Sequence, residues 1–214
     1  MVIHYIYDPL CGWCYAAAPL VRAARAVLPV AAHGGGMLAG PNRRAMSPQF
    51  REHVMPHDRR IAELSGQPFG TAYTDGLLRD PGAMLDSEPP TAAVLAADRM
   101  AGRGHELLAR LQTAHYVEGL RIADTGVLVQ QAAAIGLDPV AFAMHFEQLQ
   151  GAPVQDHFAQ SRALMAQVRG QGFPTFALEH GGRFERLDSA SYLGRVEAWT
   201  ARLQQAVEGA VPIA

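Results

Sequence analysis

The sequence predicts an α/β fold in which a small sheet is interrupted by a long, all-helical stretch. Three observations predict it. The first 36 residues read strand, helix, strand; residues 37 to about 168 are dominated by helical periodicity; and the chain then returns to strand, hairpin and helix. The order is βαβ, many helices, ββα.

Each element has its own signal. Residues 2–7, Val-Ile-His-Tyr-Ile-Tyr, are β-branched and aromatic and read as a buried strand. Asp8-Pro9 then turns the chain. Residues 11–28 repeat Ala, Leu and Val at three- and four-residue spacing, a helix that Pro19 should kink and Pro29 ends. Residues 30–33 give a second strand closed by Gly34-Gly35-Gly36, completing a parallel βαβ unit. Ser47-Pro48 is a cap followed by proline at the first helical position. It opens a helix to about residue 64, bent at Pro56 and stopped by Gly66. Residues 67–90, rich in Gly, Pro and Asp, read as irregular. Helices follow at 91–100, 105–120, 125–135, 138–149 and 154–168, the fourth opened by Asp138-Pro139. Residues 173–179 read as a strand, His180-Gly181-Gly182 as a tight turn, and 183–187 as the hairpin partner. Ser189 should cap a last helix to about residue 207, with Tyr192, Val196, Trp199 and Leu203 on one face.

Composition bounds the function. The chain has 214 residues, 49% hydrophobic and 18% charged, enough for one full core or a domain with a large insertion. A net charge of -2 gives no electrostatic reason to expect nucleic acid or an anionic membrane surface. All 18 basic residues are arginine, so Schiff-base lysine chemistry is excluded. No apolar run approaches the ~18 residues that span a bilayer. Met1 leads straight into the first strand without a basic leader or cleavage site, so a cytoplasmic protein is expected. There, thiols are kept reduced, and a cysteine pair is more often catalytic, redox-sensing or metal-binding than structural.

The chemistry sits in Cys11-Gly12-Trp13-Cys14, the only cysteines of the chain. A cysteine at a helix start lies near unpaired backbone N–H groups, where the helix dipole favours negative charge. The thiolate is the nucleophile, and an unperturbed thiol of pKa ~8.5 is only a few per cent ionised at pH 7. A second cysteine one turn along is more buried and can attack the resulting mixed disulfide. Cys11 is therefore expected to attack and Cys14 to resolve. A structural disulfide would close too short a loop to constrain the unfolded chain. A zinc site needs two more ligands, and there is no second Cys-x-x-Cys. His53 and His57, four apart on a helix, read as a solvated face. No metal and no cofactor are expected.

Pro174 heads a late strand. A proline there cannot donate a ladder hydrogen bond and often marks a cis turn. In a βαβ–ββα arrangement this loop comes beside the Cys11 helix start, leaving backbone groups free for an incoming peptide. Other residues read as ordinary structure. Gly34-Gly35-Gly36 lacks the Lys-Ser/Thr of a phosphate loop and reads as a strand-end turn lining the groove. Met37 and Met84 read as core, and residues 116–118 as helix surface.

Taken together, the Cys11–Cys14 motif, Pro19, the βαβ start, the helical insertion and Gly172-Phe173-Pro174-Thr175 resemble the DsbA-like branch of the thioredoxin superfamily. More narrowly, Asp8-Pro9, Gly66-Gln67-Pro68-Phe69, Glu88-Pro89, Leu111-Gln112 and Glu118-Gly119 are similar to the cytosolic FrnE-like, protein-disulfide-isomerase group. The resemblance implies a thioredoxin fold with a helical domain inserted after the second strand. The sheet domain would comprise residues 1–40 and 166–214, and the insertion 41–165. It implies Cys11 as nucleophile, Cys14 as resolver and Pro174 as the cis-proline, with Phe173 and Thr175 flanking the sulfurs. Gly12 and Trp13 would shape the entrance and tune the potential. Many relatives carry a buried acid on the first strand where this chain has Tyr5; Asp8 or a bound water is the candidate to replace it as proton acceptor, and the proton route for Cys14 stays open. The expected partner is a protein or low-molecular-weight thiol or disulfide, glutathione among them. Two rivals remain. One is a glutathione-binding transferase or isomerase of the kappa-class or 2-hydroxychromene-2-carboxylate isomerase type, which usually places serine at position 11. The other is a peptide-binding module without turnover.

Overall fold

The structure, a computed structural model, describes residues 1–210, so the last four residues of the expected sheet domain lie outside the described residues. A four-stranded sheet runs in the order β2-β1-β5-β6. Its strands are β1 (Val2–Tyr7), β2 (Val30–Gly34), β5 (Thr175–His180) and β6 (Arg183–Leu187). β1 pairs parallel with β2, from Ile3 opposite Val30 to Tyr7 opposite Gly34. It pairs antiparallel with β5, with Tyr5 opposite Phe176, and β5 turns back on β6 as the hairpin expected from Gly181-Gly182. Alternation along β1 sends Ile3, Tyr5 and Tyr7 to the main core and Ile6 to a smaller cluster with Val168 and Ala177 on the opposite face.

Between β1 and β2 lie two helices, α1 (Gly12–Ala16) and α2 (Ala18–Arg25). The sequence predicts one kinked helix, whereas the structure breaks it at Ala17. Pro19 thereby falls in the first turn of α2, where its missing N–H costs no hydrogen bond. Between β2 and β5 come α3 (Pro48–Ser65), α4 (Glu88–Ala101), α5 (Gly104–Tyr116), α6 (Thr125–Ala134), α7 (Pro139–Leu149) and α8 (Ala152–Gln167). The sheet is thus interrupted by a helical insertion after its second strand. α3 starts and stops where its caps predict: the Ser47 side chain accepts from Phe50 N, and Gly66 adopts the left-handed conformation.

Several boundaries differ from the sequence reading, each for a local reason. Residues 67–90 hold a π-turn at Ala72–Gly76, a 3-10 turn at Leu77–Arg79, and a two-residue ribbon. In that ribbon β3 (Arg44–Ala45) pairs with β4 (Met84–Leu85). α4 begins at Glu88 because Pro89 and Pro90 are tolerated in a first turn. α5 ends at Tyr116: Gly119 turns to a φ of 66°, and Leu120 N bonds back to Ala114 O at 2.8 Å. β5 begins at Thr175, leaving Phe173 and Pro174 in the preceding loop, joined by a cis peptide bond.

Ser189 precedes only a 3-10 turn, Ala190–Tyr192, without a side-chain cap bond, and the last helix, α9 (Val196–Ala210), starts later. Gly194 intervenes at a φ of 73°, so close to Leu64 O that a β-carbon there would sit 2.4 Å away. α9 packs on α2, where the fully buried Trp199 indole donates to Leu20 O at 3.1 Å. Tyr116 is buried, not helix surface, because it stacks on Tyr15 with ring centroids 4.8 Å apart and meets Phe69, Tyr73 and His115 edge-on or tilted. Met84 is exposed, not core, because β4 lies on an outer ribbon. Among the described residues no helix is long and apolar enough to cross a membrane.

Candidate active site

The redox motif occupies the turn from β1 into α1. Cys11 is the N-cap of α1, and its carbonyl accepts from Cys14 N at 2.9 Å and Tyr15 N at 3.1 Å. A turn this tight places both side chains at the first turn, where the Gly12 and Trp13 N–H groups have no intrahelical partner. Both cysteines are free thiols. They are not equivalent: Cys11 retains 6% exposure, and Cys14 has none. The Cys11 Sγ donates to the Phe173 carbonyl at 3.5 Å. The loop holding Pro174 therefore lies against the attacking end of the motif, as the βαβ–ββα order predicts.

Cys14 is enclosed from behind. Its sulfur accepts from Asp8 N at 3.5 Å, and its carbonyl accepts from the Tyr5 hydroxyl at 3.3 Å. Burial pushes the Cys14 thiol well up, and hydrogen bonding and charge from Cys11 add to the shift. Cys14 therefore rests protonated. Tyr5 is itself buried and held neutral, first by desolvation.

Asp8 is fully buried, with three donors on its carboxylate. Oδ1 accepts from Leu10 N and from Ser87 Oγ, both at 2.9 Å; Oδ2 accepts from Met37 N at 2.6 Å. Burial raises its carboxyl to about 6 against the lowering effect of those donors and of the Arg162 charge. The contact between Asp8 and the Cys14 sulfur runs through the Asp8 backbone.

Trp13, Phe173, Pro174, Ser189, Ala190 and Leu193 line a cavity of about 220 Å³ beside the motif. Larger clefts of about 500 and 590 Å³ lie along α3 and β6, and neither is lined by a residue of the motif or of the Phe173-Pro174 loop, whereas the small cavity takes Trp13 from the one and Phe173 and Pro174 from the other. Chemistry, not size, selects the small one. Of the sequence-predicted residues, Cys11, Gly12, Trp13, Cys14, Phe173 and Pro174 come together. Thr175 turns away: its hydroxyl donates to Gly172 O at 2.7 Å and fixes the loop. Gly34, Gly35 and Gly36 pack against Thr91, Phe173 and Phe158, in approaches too close for a side chain.

Sequence reasoning missed three contributors, all from the insertion. Arg162 on α8 donates to Gly35 O at 2.9 Å and Gly36 O at 2.7 Å. Ser87 holds Asp8 and accepts from Leu38 N at 3.0 Å. Asp58 on α3 faces Gly12. An arginine, a serine and an aspartate among many carry no local signal; only the tertiary approach of the insertion marks them. Among the described residues no cluster of three or more His, Cys, Asp or Glu is placed to hold a metal ion.

The class is set by this geometry: two thiols of unequal burial at a helix start, against a proline loop, on a β2-β1-β5-β6 sheet split by a helical insertion. That is a DsbA-like oxidoreductase of thioredoxin fold. A scan of family models and a search of curated proteins gave no match. Solved structures do match. The cytosolic disulfide reductase DsbM from Pseudomonas aeruginosa superposes with a TM-score of 0.92 at 51% identity, over 97% of this chain and 99% of that one. The same reductase with GSH gives 0.91 at 50% identity, over 97% and 100%. A protein-disulfide-isomerase candidate from Nitrosomonas europaea shares the fold, with a TM-score of 0.78 at 24% identity over 97% and 98%. The chain belongs to the DsbM disulfide reductase family and is a thiol–disulfide oxidoreductase.

Proposed function

We propose that the protein works in the cytosol as a disulfide reductase, with Cys11 attacking and Cys14 resolving. The observation that carries the order is the contrast between the two sulfurs. Cys11 sits at the rim against the Phe173 carbonyl; Cys14 is sealed and protonated. In the first step the Cys11 thiolate attacks a substrate disulfide, forms a mixed disulfide and expels one substrate thiolate. In the second, Cys14 loses its proton and attacks the Cys11 sulfur. The Cys11–Cys14 disulfide forms and the second thiolate leaves, so two electrons pass to substrate. Two molecules of a small thiol, themselves oxidised to their disulfide, then restore the pair.

Glutathione is the thiol this reading assigns, since the related P. aeruginosa reductase was crystallised with GSH. Its body, or a residue flanking a protein disulfide, would occupy the cavity by Trp13 and Leu193. Backbone groups of the Phe173-Pro174 loop would align it. Asp8 is the acceptor we assign to the Cys14 proton, through a bound water: it is the buried carboxyl of the same turn, and its charge and that of a Cys14 thiolate disfavour each other. Serine usually stands at position 11 in the transferase-type rivals, so the Cys11–Cys14 pair favours redox cycling.

The test is trapping. Cys14→Ser incubated with oxidised glutathione should accumulate one glutathione adduct, mapped to Cys11 by mass spectrometry; Cys11→Ser should accumulate none. An adduct on Cys14 in the Cys11→Ser protein would overturn the order.

A further inference from the structure

The helical insertion brings a carboxylate to the redox motif that neither the sheet nor the motif encodes. Asp58, on α3, is only 6% exposed. Its Oδ1 lies 3.3 Å from where a β-carbon of Gly12 would stand, directly after Cys11. Its Oδ2 accepts from the Tyr73 hydroxyl at 3.0 Å. It makes no ion pair among the described residues.

The groups packed around it are known. α1 meets it at Gly12, between the two cysteines in sequence, and the π-turn meets it through Tyr73, on whose ring Tyr116 and His115 of α5 pack. Tyr73 and Tyr116 are held neutral, chiefly by burial, and burial keeps His115 uncharged above about 4. On α3 itself, His57 and Arg59 point to solvent. No cation therefore neutralises Asp58 at the motif.

We propose that Asp58 is a positioning residue that acts through Cys11, destabilising its thiolate and so biasing the Cys11–Cys14 pair toward the disulfide, which makes the protein a reductant. The physics is direct. A disulfide carries no charge, whereas the reduced pair gains stability from its thiolate. A fixed negative charge beside the motif removes part of that gain, and strong oxidants of this fold class are those whose reduced form is stabilised. Gly12 is part of the device, because a β-carbon there would stand 3.3 Å from Asp58 Oδ1 and crowd the carboxylate back from the motif. Burial raises the Asp58 carboxyl to about 6, so the charge is present at neutral pH and fades below it.

The inference rests on the thiol–disulfide reading and is tested separately from it. Wild type, Asp58→Asn and Tyr73→Phe are equilibrated with glutathione redox buffers at pH 7. Asp58→Asn should shift the equilibrium toward the dithiol by about tenfold, which for two electrons is about 30 mV. In a Cys14→Ser background, the rate of Cys11 alkylation against pH should show an inflection near 6 in addition to the main titration. Asp58→Asn should abolish that inflection and move the main midpoint down. Tyr73→Phe keeps the carboxyl but removes a bond that favours its charged form, so the inflection should move up. A folded Asp58→Asn protein with unchanged equilibrium and profile overturns the proposal. Should that variant not fold, an inflection unmoved in Tyr73→Phe overturns it. Absence of any exchange with glutathione in wild type would instead defeat the functional reading, and the alkylation profiles would still decide the role of Asp58.

Discussion

Gly35 and Phe173 approach so closely that a β-carbon on Gly35 would lie 2.1 Å from the Phe173 ring. The contact locks the end of β2 against the loop whose carbonyl meets Cys11. An aromatic ring cannot yield by a methyl rotation; it must leave its rotamer or carry its backbone with it. Gly35→Ala should therefore cost about 1–3 kcal/mol by overpacking and slow disulfide exchange together with it. Urea unfolding and turnover of a model disulfide measure the two effects. An alanine variant as stable and as active as wild type would mean that Phe173 is not held there.

Gly12 gives the contrasting case. A β-carbon there would lie 2.9 Å from Ile61 Cδ1, the free end of a flexible side chain, and 3.3 Å from Asp58 Oδ1. A small shift of Ile61 relieves the clash, and alanine gains about 1 kcal/mol over glycine in a helical turn. The two nearly cancel. Gly12→Ala should remain within about 1 kcal/mol of wild type in urea, although it forces Asp58 back from the motif. A loss much larger than this would show that α3 cannot move.

Asp8 ties three separate segments together: the motif loop through Leu10, the loop after β2 through Met37, and the start of α4 through Ser87. Asparagine fits the space but presents an NH2 to donors that need an acceptor. Leaving at least one buried donor unpaired costs about 1–3 kcal/mol. Asp8→Asn should lose that much in urea and should also slow resolution of the mixed disulfide, seen as longer-lived adducts in rapid-quench alkylation. Wild-type resolution rates in a folded Asp8→Asn protein would remove Asp8 from the proton route.

The sheet and the motif were legible because their signals are local. The β-branched run of β1, the Cys11–Cys14 spacing, Pro174 ahead of a strand and Gly181-Gly182 in a hairpin each act over a few residues. The insertion was legible as helices but not as a partner of the site. Asp58, Ser87 and Arg162 reach the motif from 44 to 148 residues away, through packing that no short window contains. The same cause hid Tyr116: its neighbours Tyr15, Phe69 and Tyr73 come from two other segments, α1 and the stretch after α3. The break at Ala17 and the late start of α9 were missed because proline and glycine positions announce an irregularity without saying on which residue it falls.

Acid stability turns on two opposed sets of buried groups. Burial raises the Asp8 and Asp58 carboxyls to about 6, above their unfolded value of 3.8. Each contributes stability that is present below about 4 and is lost as pH rises through about 6. Burial lowers His33 and His115 to about 4 from 6.5, and lowers His105 and His157 as well. Each histidine contributes stability that is present above about 6.5 and is lost as pH falls toward 4. For fully buried His115 a shift of this size is worth roughly 3 kcal/mol at the extremes, at about 1.4 kcal/mol per pKa unit. Four histidines outnumber two carboxyls, so acidification from pH 6.5 to 4.5 should lower the urea midpoint. Asp58→Asn removes one opposing gain and should steepen the fall; His115→Phe removes one loss and should flatten it. The surface carboxylates of Asp80, Glu106, Glu118 and Asp188, held low by arginine or serine partners, add their losses only below this window. Urea titrations at the two pH values measure all three slopes, and equal slopes in wild type and both variants would show that these buried groups do not govern the acid limb.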